Sequence, residues 1–154
     1  MKPLRDADRK PVRLGTFAVA AMLMALAMPG VSPAQTAEPA KVAPAFREEL
    51  PNVPGKSLVG VIVEYAPGGK TPPHRHARSA FVVGYVLSGA IRSQVDGGPV
   101  QVFNAGESWS ETPGARHDVS ENASATEPAK LLAIFVVDTE DRELTTQEQR
   151  RTGP

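Results

Sequence analysis

The chain has 154 residues, with 17 Lys and Arg against 17 Asp and Glu, a formal net charge of 0 and no cysteine. Without cysteine there are no disulfides and no thiolate ligands, so packing must supply stability and any metal must be held by nitrogen and oxygen donors. No basic patch or Lys/Arg run lies outside the first residues, which excludes the electrostatic footprint of a nucleic-acid binder and favours small-molecule chemistry.

The N-terminus is read first as a targeting segment. Lys2, Arg5, Arg9, Lys10 and Arg13 form a basic stretch, and Ala18 to Met28 is an uncharged apolar run closed by Pro29 and Gly30. Ser32-Pro33-Ala34 then offers small residues at a cleavage point, so residues 1–34 are expected to be a signal peptide and the mature chain periplasmic or secreted. The run is shorter than the about 20 apolar residues of a membrane span, and no stable membrane insertion is expected after cleavage. The remainder holds twelve basic and fifteen acidic residues, a net of −3, on a length suited to one domain.

Residues 35–56 contain Pro39, Pro44, Pro51 and Pro54, too many for a helix or a central strand, and read as a solvated leader. Phe46 and Leu50, four apart, leave a short helical turn open beside a mobile tail. From residue 57 the pattern changes to strands. Leu58 to Tyr65 is β-branched and closed by Pro67-Gly68-Gly69, and Phe81 to Leu87 is a second apolar strand. Ser88-Gly89 is a hairpin-turn candidate, and Ala90 to Val95 alternates Ile91, Ser93 and Val95 with Arg92 and Gln94. Further strands are expected at Val100 to Phe103, at Glu107 to Glu111 with the single Trp109, at His117 to Ser120, and at Leu131 to Val137. Short strands with frequent turns predict an all-β barrel or sandwich over 57–138. The charged tail, 139–154, is open between a loose helix and no fixed structure.

Two of the three histidines, His74 and His76, follow Pro72-Pro73, which favours an extended entry. In extended chain, residues two apart share a face, with Cα atoms roughly 6.6 Å apart, so both imidazoles can reach one ion while Arg75 points away. His117 follows the Pro113-Gly114 turn in a second β-prone segment.

These segments resemble the cupin superfamily. Gly68, five residues, His74-Arg75-His76 and an apolar strand ending at Gly89 is similar to its first motif. Gly106, six residues, Pro113-Gly114, two residues, His117 and then Asn122 is similar to the second, with spacing off by one. The resemblance implies a single-domain jelly-roll barrel of short antiparallel strands, holding one divalent transition metal (Fe, Mn, Ni, Cu or Zn) through His74, His76 and His117. The first motif usually adds a Glu ligand. Here its window, Ala80-Phe81-Val82, has no carboxylate, and Ser79 is the nearest polar group.

Glu64, Glu107 and Glu111 are the candidate substitutes, and each reads more simply as a solvated strand residue. Tyr65, Phe81, Phe103, Trp109 and Phe135 read most simply as core, with Trp109 and Tyr85 as candidates for a pocket wall. Arg75, Arg78 and Arg116 read as strand-edge residues. The resemblance implies a metal-dependent oxygenase of the small quercetinase-like kind acting on a small molecule, with a homodimer plausible. The other reading is a binding or stress-related module without turnover, which the absence of a recognisable general base favours.

Overall fold

A computed structural model describes residues 40–147; the expected signal peptide and the end of the tail lie outside the described residues. Those residues form eleven strands and no helix. The first sheet joins β1 (Lys41–Glu49), β2 (Lys56–Tyr65), β10 (Ala129–Asp138), β5 (Phe81–Ser88) and β8 (Ser108–Glu111), in that order. The second joins β11 (Thr145–Gln147), β4 (His74–His76), β9 (Arg116–Asn122), β6 (Ala90–Val95) and β7 (Gln101–Asn104), with β3 (Lys70–Thr71) also paired to β9. All pairings are antiparallel. The all-β jelly roll read from the sequence is therefore present, as two facing sheets that do not close into a continuous barrel.

The apolar run of β10 lies between β2 and β5. Leu131, Phe135 and Val137 turn inward, while Leu132, Ile134 and Val136 stay half-buried. Two core clusters result. One gathers Val63, Tyr65, Val86, Ile91 and Leu131, bridging both sheets, with Phe103 and Trp109 packed against it. The other gathers Val59, Ala80, Val82, Phe135 and Val137. Of the aromatic residues expected in the core, Phe81 is exposed instead, on the outer face of β5.

Three local expectations change. The described part of the Pro-rich leader is largely strand β1, paired along β2 and mostly solvent-exposed as expected, with no helical turn. Pro44 is accommodated because β1 is an edge strand, where a missing N–H leaves no ladder bond broken, and because it sits beside a register shift, while Pro51 and Pro54 lie in the turn before β2. Phe46 lies opposite Gly60, and its ring occupies the space a Cβ there would fill. Ser88-Gly89 is no hairpin: β5 and β6 belong to different sheets, and Gly89, with φ 69°, carries the chain between them. A Cβ at Gly89 would lie 2.7 Å from the Pro128 carbonyl oxygen, so glycine is needed for space as well as for φ. Within the tail, Thr145–Gln147 form strand β11, pairing Thr145 with His76 and Gln147 with His74. That pairing covers an edge of β4 whose backbone groups would otherwise lack a strand partner.

Candidate metal centre

The histidines are brought together by one strand pair. On β4, His74 and His76 share a face by the period-two alternation of a strand, and β4 pairs with β9 so that His74 stands opposite His117. Ring centroids are 5.0 Å apart for His74 and His76, 5.3 Å for His74 and His117, and 6.0 Å for His76 and His117. One ligand atom from each lies within 4.8 Å of the others. Arg75, between the pair, is exposed as expected.

Each ring is held differently. His74 Nδ1 lies 2.9 Å from the Pro72 carbonyl oxygen, which only accepts, so Nδ1 carries the proton and Nε2 keeps its lone pair. His117 Nε2 lies 2.9 Å from Ser93 Oγ. His76 Nδ1 is buried without a hydrogen bond, and its Nε2 faces the Glu111 carboxylate. Burial pushes the pKa of His74 down and that of His117 down to about 4, so both are neutral ligands at pH 7.

Glu111 lies beside the three histidines. It sits at the end of β8 with its side chain 2% exposed, Oε2 2.9 Å from His76 Nε2 and Oε1 3.4 Å from His117 Nδ1. The Trp109 indole N–H donates to Oε1 at 3.0 Å. Burial alone pushes the Glu111 carboxyl up, but the adjoining His76 and His117 rings and the Trp109 N–H outweigh it and hold the group below the usual carboxylate range. Three imidazoles with ligand atoms within 4.8 Å of one another suit a divalent ion, and the buried His76 ring, whose nitrogens have no partner besides Glu111, is one that such an ion would satisfy.

The residues face a cavity of about 370 Å³ between the sheets. Val63, Val82, Leu131 and Phe135 supply apolar wall, and Tyr65, whose hydroxyl lies 2.7 Å from Ser120 Oγ, supplies a polar patch.

Comparison with known proteins places the arrangement. The Cupin domain family model matches residues 61–135, which carry both histidine segments and the strands between them. The domain is a cupin. Solved structures agree on the fold: the cupin domain of Cnp3 from Schizosaccharomyces pombe is 20% identical with a TM-score of 0.53, over 65% of this chain and 62% of that one. An uncharacterised Klebsiella pneumoniae protein with a double-stranded β-helix domain is 18% identical with a TM-score of 0.53, over 76% and 91%. A recombinant oxalate oxidase in complex with glycolate is 23% identical with a TM-score of 0.51, over 70% and 54%. The chain thus spans less than two thirds of the Cnp3 and oxalate oxidase chains. Comparison with curated proteins gives no match.

In this cupin the structure sorts the other candidate residues. Trp109 lines the cavity, whereas Tyr85 is 40% exposed on the far face of β5. Glu64 pairs with Lys130 at 2.7 Å on the surface, and Glu107 accepts from the Asn104 backbone N–H in an exposed turn. Ser79 donates to Asp141 Oδ2 and takes no part in the site. Arg75 reaches the Gly114 carbonyl, Arg116 pairs with Asp118, and Arg78 is exposed. Glu111 is the residue that the sequence reading assigned to solvent. The signal was present in the alternation: if Trp109 faces inward from a strand, so does the residue two further on.

Proposed function

We propose that this cupin is an exported, mononuclear metal-dependent oxygenase, of the quercetinase-like kind, acting on a small organic molecule. The observation that carries the reading is the convergence of His74, His76 and His117 on an apolar cavity beside the buried carboxylate of Glu111. A buried carboxylate against the histidines supports turnover over storage of a ligand. A bound metal would supply Lewis acidity and redox chemistry. The chain's own residues hold the His74 and His117 imidazoles neutral, exclude water with the Val82, Leu131 and Phe135 wall, and offer the Tyr65 and Ser120 hydroxyls to a polar substituent.

Elemental analysis of untagged protein from its native compartment tests the reading. About one Fe, Mn, Ni or Cu per chain is expected, lost in His74→Ala and His117→Ala, with oxygen uptake on flavonols, small diketones or aromatic diols. Full metal stoichiometry in either variant would overturn the three-histidine site. The apolar walls favour a second reading, a non-catalytic binding module, which predicts zinc or no metal and no oxygen consumption. Export predicts a mature N-terminus after about Ala34, read by intact mass.

A further inference from the structure

The first-motif resemblance implies a carboxylate from the window that here reads Ala80-Phe81-Val82. In the β5–β8 pair, Val82 stands opposite Glu111. Residues directly opposite in an antiparallel pair share a face. Val82 is buried, and both residues line the cavity. The carboxylate missing from β5 is therefore present at the same level, one strand over.

Its surroundings are those of a ligand. Oε1 is held by the Trp109 N–H, which fixes the carboxylate plane. Oε2 and His76 Nε2 form a buried 2.9 Å contact with each other, and neither has a further hydrogen-bond partner. Such a contact with no further partner in the interior carries a desolvation cost, which a cation shared by the two groups would offset. Donor atoms bound to one ion at about 2.0 to 2.2 Å lie roughly 3.0 to 3.4 Å from each other in octahedral or tetrahedral arrangements. The spacings from Glu111 to His76 and His117, 2.9 and 3.4 Å, fall at that scale.

We propose that Glu111 is the fourth protein ligand of the metal, its carboxylate supplied across the β5–β8 pair in place of the first-motif glutamate that this chain lacks. The inference rests on the three-histidine site and not on the reaction proposed for it. Trp109 acts as a positioning residue for that carboxylate.

The test uses Co(II) as the probe on the untagged mature protein, with visible d–d absorption and competition against a chelator as readouts. Glu111→Gln is expected to weaken Co(II) binding at least about tenfold and to change the d–d bands. Unchanged affinity and bands in that variant overturn the proposal while leaving the histidine site standing. Wild-type protein that binds no Co(II) overturns both. Infrared difference spectra of the wild type need no variant to fold: loading with Co(II) is expected to displace a carboxylate stretch, and the absence of any displacement overturns the assignment of Glu111.

Discussion

Gly84, on β5, has no side chain because the Trp109 indole lies over it: a Cβ there would come within 2.5 Å of the indole Cζ2. The indole in turn donates to Glu111. Gly84→Ala is therefore expected to push the ring, destabilising the fold by about 1–3 kcal/mol through overpacking. Urea unfolding of the metal-free protein measures this, and Trp109 fluorescence should shift with it; an unchanged unfolding midpoint and emission maximum would contradict the packing described. At this scale the sequence was partly readable. His74 and His76 declare themselves by spacing, and His117 by its turn. Glu111 does not, because a carboxylate in a Ser/Trp/Ser strand looks solvated until the partner strand is known.

Among the elements, β1 is the one whose attachment depends on few contacts besides its ladder with β2. Phe46 covers Gly60, and the Arg47 guanidinium donates to the carbonyls of Thr139 (2.8 Å) and Asp141 (3.1 Å), beyond the end of β10. Arg47→Ala removes hydrogen bonds from a charged donor to half-buried acceptors, and about 1–2 kcal/mol of stability is expected to go with them. Hydrogen exchange should show the loss first in the amides of β1, with the central strand β10 still protected. Equal deprotection of both strands would mean that β1 is not a separable edge. Proline counting misread this segment because proline forbids a central strand and not an edge one. The tail was misread for a related reason. Only the exposed edge of β4 reveals that Thr145 to Gln147 have a partner.

For the whole molecule, the buried histidines couple folding to pH. His117 has its pKa lowered from 6.5 to about 4, chiefly by burial, so the unfolded chain takes up the proton more readily than the folded one. Stability of the metal-free protein is thus full above pH 6.5 and falls as the pH drops from 6.5 toward 4. The loss expected from this residue is about 3 kcal/mol. His74, lowered in the same direction, adds to it, and Glu111 adds a further loss once the pH falls below its unfolded value of 4.5. Urea midpoints at pH 7, 5.5 and 4 in the presence of a chelator should decline steadily, and a flat profile would contradict the burial of these groups. Divalent metal at 100 times its Kd should raise stability at pH 7 by about 2.7 kcal/mol, and the His74→Ala variant should gain none of it.

The sequence by itself determined the all-β class, the nitrogen and oxygen donor set, and the pairing of His74 with His76. These follow from local physics: β-branched runs between Gly and Pro turns, an absence of thiols, and the period-two alternation of a strand. Tertiary structure decided what depends on which strand lies beside which. It set His117 opposite His74, carried the chain between sheets at Gly89, recruited the leader and the tail as edge strands, and placed Glu111 across from Val82. Strand order in a jelly roll joins segments far apart in the chain, so no local pattern encodes it.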